Sequence, residues 1–265
     1  MAYADFHTHS HYSDGRYSLS EMAEFAMNHG MYALGFSDHS PMDVESDWTM
    51  PEDKYADYIS EISKLKNDYS GKLEIFTGLE LDIFSELDTS DLDYLIVSCH
   101  YVLTDDGIYC PVDHASHIMK NDVDKHFSGD CIKYAKKYYE QLASVSNLGP
   151  AVIGHYDLVT KFNEGGCMFD ESDPRYINTA LETLEYLASL GIIFEINTGA
   201  MFRGYRTEPY PSLPLLRRMK ELGCKIMLNG DSHSTEALCH KFDDAIEYAK
   251  AAGYTDFEKY PPMRK

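Results

Sequence analysis

Histidines and acidic residues that could bind metal ions recur through the sequence, each within or just after a short apolar run. Two of them are the carboxylates Glu80 and Asp231, and the other six are the histidines His7, His9, His39, His100, His155 and His233. Imidazole donates a ring nitrogen to a metal, whereas a carboxylate can bridge two ions. A set without cysteine suits Zn, Fe or Mn. The pair His7 and His9 alone is common by chance, so the joint pattern is what predicts a metal site.

The remaining histidines named here fall outside this pattern. His29 and His240 are interpreted as surface residues on helices, and His126 lies in a stretch of irregular sequence. His114 and His117 lie in the same stretch, from which they could reach the metal site.

Apolar runs that alternate with longer amphipathic ones predict the elements that position the metal ligands. Seven strands are predicted, at 4–6, 32–37, 73–81, 94–98, 151–154, 192–196 and 225–228. Helices are predicted at 19–28, 51–66, 133–144, 174–189, 213–222 and 240–252. The stretch 104–130 is interpreted as a loop or lid. This alternation predicts an α/β fold with a parallel sheet and helices outside it.

Seven such units in 265 residues favour a barrel over an open sheet. In a parallel barrel the carboxyl ends of all strands lie on one face, so ligands spread along the whole chain would converge there. No change in composition marks a boundary, and a single domain spanning residues 1–265 is therefore predicted.

The net charge of −21 narrows the classes of partner. It disfavours nucleic acid, because phosphate binding relies on Lys and Arg replacing counterions. Metal ions can still attract a phosphate to an acidic protein. The charge also suits a small substrate with a cationic part, or simply keeps the protein in solution. A small-molecule partner is expected, and the oligomeric state stays open.

Cysteine usage and hydropathy indicate the compartment. The six cysteines contain no CxxC pair, which is typical of free thiols in a reducing compartment. No signal peptide is apparent, and no apolar run approaches the ~18 residues of a membrane span. We expect a cytoplasmic protein without a membrane partner.

The motifs around these ligands resemble the polymerase and histidinol-phosphatase (PHP) superfamily of metal-dependent phosphoesterases. They occur in the family's order over nearly the whole chain: His7-Thr8-His9-Ser10, Asp14-Gly15, Asp38-His39, Gly78-Leu79-Glu80, His100, Gly154-His155 and Asp231-Ser232-His233. The resemblance implies a distorted (β/α)7 barrel with a trinuclear metal site at the carboxyl ends of its strands.

The resemblance also implies a ligand set for three divalent ions, which would be Zn, Fe or Mn. The ligands are His7, His9, Glu80 and Asp231 for the first ion, Glu80, His100 and His155 for the second, and Asp14, His39 and His233 for the third. Glu80 would bridge the first two ions. Asp14 stands where some relatives have His, and a carboxylate makes the third site harder and more tolerant of Mn or Fe.

Within the superfamily, the chain looks most like the histidinol-phosphate phosphatases. The segments 195–199 and 208–211 resemble the stretch that supplies a phosphate-binding cation in those enzymes, which makes Arg203 and Arg206 candidates here. Lys161, near the segment 154–158, is a third candidate, and His39 is a further phosphate contact. Arg binds phosphate bidentately, whereas Lys acts as a point charge. The alternative for each cation is an exposed, solvated charge.

The resemblance implies hydrolysis of L-histidinol phosphate to L-histidinol and phosphate, a reaction of histidine biosynthesis. Two ions would share a water and lower its pKa, which gives a metal-bound hydroxide nucleophile, and an Arg would neutralise charge in the transition state. Asp231, His233 and Glu80 are the catalytic candidates. Glu208 and Asp157 are candidates for contacting the cationic part of the substrate.

Other functions remain open. A phosphatase of the same superfamily could act on a phosphotyrosine protein or a nucleotide. A polymerase-associated nuclease is disfavoured by the charge and by the lack of a polymerase region. A metal-binding protein that has lost catalysis would lack a ligand, and none is missing. A metal-dependent amidohydrolase also begins with His-x-His, but it usually needs a bridging carboxylated Lys or an equivalent mid-chain ligand. No Lys follows a strand in the right place here, whereas Glu80 offers the bridge.

Overall fold

The first sheet contains the strands that carry the amino-terminal motifs. The structure is a computed structural model that describes residues 3–44, 46–145 and 149–264. Three parallel strands form this sheet in the order β1-β2-β3, with β1 at Ala4–Asp5, β2 at Ala33–Phe36 and β3 at Glu74–Thr77. The chain thus returns through a helix between successive strands.

A second parallel sheet carries the remaining motifs, in the order β10-β9-β8-β5-β4. Its strands are β4 (Glu80–Asp82), β5 (Ile96–Ser98), β8 (Val152–Ile153), β9 (Ile193–Asn197) and β10 (Ile226–Asn229). Isolated parallel bridges, Thr8 to Ser232 and His39 to Glu80, connect the two sheets just beyond the strand ends. The predicted α/β fold with parallel strands is confirmed.

Helices alternate with the strands of both sheets. They are α1 (Leu19–Asn28), α2 (Tyr55–Asp68), α3 (Ser116–His126), α4 (Cys131–Leu142), α5 (Pro174–Ser189), α6 (Gly199–Phe202), α7 (Leu213–Glu221) and α8 (Phe242–Ala251). Ser18 caps α1 in a capping box with Glu21, and the Asp130 side chain caps α4. The six predicted helices are present within a few residues of their expected ends.

The predicted single strand at 73–81 is wrong, because the chain changes sheets at Gly78. Before this point β3 pairs with β2, and after it β4 pairs with β5. A Cβ atom on Gly78 would lie 2.2 Å from the Tyr94 ring, so only glycine fits there. The Tyr94 hydroxyl donates to the Phe6 carbonyl oxygen at 2.6 Å and fills the space between the sheets.

The stretch 104–130 is more regular than predicted. An antiparallel hairpin is formed by β6 (Tyr101–Leu103) and β7 (Tyr109–Pro111), and α3 follows it. Only Met119 and Val123 are buried on α3. Three apolar residues, Ile118, Met119 and Val123, on an otherwise polar helix give little periodic signal, which explains why the sequence did not reveal this helix.

A large hydrophobic cluster lies between the sheets and the helices, with members from Leu19 to Tyr254. The six cysteines are free, as predicted. Within the described ranges, no helix is both long enough and apolar enough to cross a membrane.

Candidate metal centre

The predicted metal ligands converge beyond the carboxyl ends of the parallel strands. His7 and His9 follow β1, His39 follows β2, and His100, His155 and Asp231 follow β5, β8 and β10. Most of them are buried, and only Asp14 and His233 are partly open to solvent, at 32% and 25% of their side-chain surface. The convergence follows from parallel pairing, which brings the same end of every strand to one side.

Glu80 lies at the centre of the cluster. Its Oε2 atom is 3.2 Å from His7 Nε2, 3.6 Å from His9 Nε2 and 2.8 Å from His39 Nδ1. Its Oε1 atom is 2.9 Å from His155 Nε2 and 3.4 Å from His100 Nε2. The two oxygens thus face two separate groups of histidines, as a bridging carboxylate requires.

Asp231 and Asp14 complete the cluster on the side facing solvent. Asp231 Oδ1 lies 3.3 Å from His9 Nε2 and 3.8 Å from His7 Nε2. Asp231 has a φ of 49°, a left-handed backbone that is uncommon for a residue with a side chain. The Asp14 carboxylate lies 3.6 Å from His39 Nε2 and 3.2 Å from His233 Nε2.

Several buried atoms of the cluster have close neighbours but no hydrogen bond of acceptable geometry. They are His7 Nε2, His9 Nδ1, His9 Nε2, His39 Nδ1 and Glu80 Oε2. Each unsatisfied buried polar atom costs about 1–3 kcal/mol. Imidazole nitrogens and carboxylate oxygens aimed at a common centre fit divalent cations, which would satisfy these atoms together. The residues present therefore suit a metal centre.

The carboxylates and histidines of the cluster shift one another's pKa values. Burial alone would raise the pKa of Glu80, but the neighbouring histidines, His7 first, hold it well below its usual range. Burial likewise lowers the pKa of His7, yet the carboxylates of Glu195 and Glu80 outweigh it and raise that pKa well above its usual range. Both directions show that the carboxylates and the imidazoles stabilise one another's charged forms at the centre of the cluster.

Two further carboxylates fix the orientation of the histidine rings, and sequence reasoning did not assign them to the site. Glu195 Oε1 is 2.7 Å from His7 Nδ1, and its Oε2 accepts from the His155 backbone N–H at 2.8 Å. Asp82 Oδ2 is 3.0 Å from His100 Nδ1. Carboxylates in this position set the ring orientation and raise ligand basicity. The available signal was an acidic residue inside a buried apolar strand.

The loops that carry the ligands are held by two other buried carboxylates. Asp5 accepts from the Gly230 backbone N–H and the Ser232 hydroxyl, both at 2.9 Å. Asp38 accepts from the Ser10 backbone N–H at 2.8 Å. Burial raises the pKa of Asp5 to about 6, although these hydrogen bonds oppose the rise. The loops after β1 and β10 are thus joined through Asp5.

A cavity of about 360 Å³ opens above the cluster. Its lining consists of Asp14, His39, Asp47, Trp48, His100, Pro111, Asp113, His114, His155, Lys161, Arg203, Asp231 and His233. Arg203 Nη2 donates to Asp231 Oδ2 at 2.8 Å, and Lys161 Nζ donates to the Asp113 carbonyl oxygen at 2.8 Å. Two of the three predicted cations therefore face the cavity beside the cluster.

Other predicted substrate contacts lie elsewhere. Arg206 is outside the cavity lining, and its Nη1 donates to the Thr160 carbonyl oxygen at 3.1 Å. Glu208 is exposed, and Asp157 is buried and accepts from the Ser212 backbone N–H at 2.8 Å. The acidic residues that line the cavity besides the cluster are Asp47 and Asp113, which no sequence motif marked. His114 reaches the lining, as the sequence allowed.

The chain belongs to the PHP domain family, since the family's model matches residues 5–199. The candidate metal ligands of this chain lie at the carboxyl ends of parallel strands.

Curated relatives and solved structures are similar along most of the chain. A Bacillus subtilis protein named histidinol-phosphatase is 27% identical over 253 residues, which is 87% of this chain and 92% of that protein. A Schizosaccharomyces pombe protein named probable histidinol-phosphatase is 27% identical over 264 residues, 89% of this chain and 82% of that protein. The crystal structure of histidinol phosphate phosphatase from Lactococcus lactis, complexed with zinc, L-histidinol and phosphate, aligns with a TM-score of 0.74 at 22% identity, covering 99% of each chain.

Proposed function

We propose that the chain is a histidinol-phosphatase, a metal-dependent hydrolase that converts L-histidinol phosphate and water to L-histidinol and phosphate. The observation that carries this proposal is the Glu80-centred cluster of histidines below a cavity lined by Arg203 and Lys161. Relatives named histidinol-phosphatase match this chain over most of its length, and they support the choice of substrate. A biosynthetic reaction and free thiols also support a cytoplasmic location.

The proposed scaffold is one domain over residues 1–265 that folds as a distorted (β/α)7 barrel. The bridges from Thr8 to Ser232 and from His39 to Glu80 support it, because they join the segment after β1 to the segment after β10 and the segment after β2 to β4. Counting β3 and β4 as one interrupted strand leaves seven positions around the ring. The continuous hydrophobic cluster from Leu19 to Tyr254 supports a single domain.

Three divalent ions, Zn, Fe or Mn, would be held by the ligand set that the family pattern implies. The separation of Glu80 Oε1, facing His100 and His155, from Oε2, facing His7 and His9, supports its bridging role. The Asp14 carboxylate lies close to both His39 and His233, which supports a third metal-binding position formed by these three residues. Ions bound there would activate water and neutralise charge on the phosphate oxygens.

The chain's own residues would hold the phosphate over this centre. The Arg203 guanidinium lies against Asp231 and has a buried Nε–H without a hydrogen-bond partner among the described residues. This donor can bind a phosphate oxygen and strengthen that bond as charge builds in the transition state. Lys161 supplies a second positive charge to the cavity lining and is paired with Asp113.

The cavity walls also suit the rest of L-histidinol phosphate. The substrate carries an ammonium and an imidazole, and Asp47, Asp113 and Trp48 line the same cavity as Arg203 and His233. Carboxylates attract the ammonium and can accept a hydrogen bond from the imidazole N–H, and the indole offers a flat surface to the imidazole. Asp47 and Asp113 replace Glu208 and Asp157 as the proposed contacts.

Phosphate release from a panel of phosphomonoesters, with Mn or Zn added, tests this proposal. The panel contains L-histidinol phosphate, p-nitrophenyl phosphate, a phosphotyrosine peptide and a nucleoside monophosphate. We expect the highest kcat/KM with L-histidinol phosphate. A rate on L-histidinol phosphate no better than on p-nitrophenyl phosphate would overturn the assigned substrate, and the preferred panel member would then identify the class.

A further inference from the structure

A second group of metal-ligating side chains lies outside the cavity, on the segment that sequence analysis interpreted as an irregular loop. Cys110 belongs to β7, and Asp122 and His126 belong to α3. One ligand atom from each residue lies within 4.8 Å of the other two. None of the three belongs to the ligand set of the Glu80-centred cluster.

The helix presents two of these ligands on one face. Asp122 and His126 are four residues apart, which places them one turn above each other on α3. The same helix buries Met119 and Val123, so its orientation toward the hairpin is fixed by packing. Cys110 is fully buried on the hairpin strand below, and its backbone pairs with Val102.

The three side chains lack polar partners in the described parts of the chain, and Cys110 packs in the hydrophobic core. No hydrogen bond or ion pair joins the Cys110 thiol, the Asp122 carboxylate or the His126 ring to another described residue. Burial raises the pKa of the Cys110 thiol to about 11, and the nearby Asp122 carboxylate adds to the rise. A divalent cation would reverse this effect, because it stabilises the thiolate and the carboxylate together.

We propose that Cys110, Asp122 and His126 form a separate site for one zinc-like divalent ion that fastens α3 to the β6–β7 hairpin. A sulfur, a nitrogen and an oxygen ligand suit tetrahedral Zn²⁺, with a water in the fourth position. Zinc–ligand bond lengths of about 2.0–2.3 Å place the ligand atoms of one ion about 3.5 Å apart. Side-chain rotations that move the three ligand atoms by about 1 Å would therefore complete the site. The hairpin leads into Pro111, Asp113 and His114, which line the cavity.

Cobalt substitution tests this site independently of catalysis. A thiolate bound to Co²⁺ gives a charge-transfer absorption in the near ultraviolet, and the Glu80-centred cluster contains no cysteine to produce one. Metal-stripped full-length protein is titrated with Co²⁺, alongside Cys110→Ser, Asp122→Asn, His126→Gln and the control Cys167→Ser. Cys167 is exposed and lies outside all the metal-ligating groups.

We expect an absorption whose final intensity corresponds to one thiolate-bound Co²⁺ per chain, in addition to the Co²⁺ that the Glu80-centred cluster takes up. The absorption should be lost in Cys110→Ser and unchanged in Cys167→Ser. Each helix variant should weaken cobalt binding at least about tenfold. Because Asp122 and His126 are only half-buried, the Asp122→Asn and His126→Gln proteins should still fold. They test the site if Cys110→Ser does not fold. Absence of the absorption, its persistence in Cys110→Ser, or unchanged binding in both helix variants would overturn the proposal.

Discussion

The Glu80-centred cluster and the cavity wall above it are built in different ways. The cluster's histidines follow strand ends, are buried, and have carboxylates such as Glu195 and Asp82 behind their rings. The wall cations lie outside the strands: Lys161 ends a 3-10 turn and Arg203 ends the short helix α6. Each pairs with an acidic residue that faces the same cavity.

This difference indicates which kinetic parameter, kcat or KM, each region mainly controls. Strand pairing fixes the ligands whether or not a substrate is present, so the cluster sets the chemistry. Lys161 is held by Asp113, a contact that an incoming phosphate must compete with or share. We therefore expect substitutions in the cluster to act mainly on kcat through the metal, and substitutions in the wall to act more on KM.

The largest effect is expected at the centre of the cluster. Glu80→Gln removes the charge of the proposed bridge, and kcat should fall at least ~10³-fold, since metal ions stabilise the transition state by several kcal/mol. Phosphate release and metal content are measured together, with Glu24→Gln on the exposed face of α1 as the matched control. His155→Ala should also abolish most activity, and full activity in either variant would refute the ligand assignment.

Arg203 is the wall residue that should behave most like the cluster. Arg203→Lys keeps the charge but removes the planar set of donors beside Asp231, and kcat should fall about 10²-fold. Arg217→Lys on α7 is the matched exposed control. If steady-state kinetics showed a change in KM alone, Arg203 would contribute to substrate binding and not to stabilisation of the transition state.

Glu195 tests whether the carboxylates behind the rings matter for metal binding. Glu195→Gln weakens the contact to His7 Nδ1 while it keeps the shape of the side chain. Metal affinity should fall about 10–100-fold, and excess metal should restore much of the activity. Competition with a chromophoric chelator measures the affinity. Unchanged affinity would mean that Glu195 only supports the fold.

The smallest effect is expected at Lys161. Lys161→Met removes a cation that also holds Asp113, and KM for L-histidinol phosphate should rise about tenfold, as expected for one hydrogen bond to a charged group. The exposed Lys64→Met is the matched control. If kcat fell while KM stayed constant, the proposed division between cluster and wall would be wrong at this position.

The two regions also differ in how far the sequence predicts them. The alternation of apolar and amphipathic segments predicts parallel strands, and parallel strands bring His7, His100 and His155 together whatever the loops do. Asp113 and Asp47 could not be predicted, because they reach the cavity through loop conformations that leave no periodic signal. Arg206, only three residues from Arg203, instead binds Thr160. Spacing in a loop does not determine direction.

The most direct test of the central claim is the dependence of phosphate release on metal. The protein is stripped with a chelator, and its activity on L-histidinol phosphate is measured while Mn or Zn is added back in known equivalents. We predict no activity in the metal-free protein and recovery as the Glu80-centred cluster fills, with no recovery in Glu80→Gln. Full activity in protein that metal analysis has verified to be free of metal would contradict the assignment of this cluster as the catalytic centre.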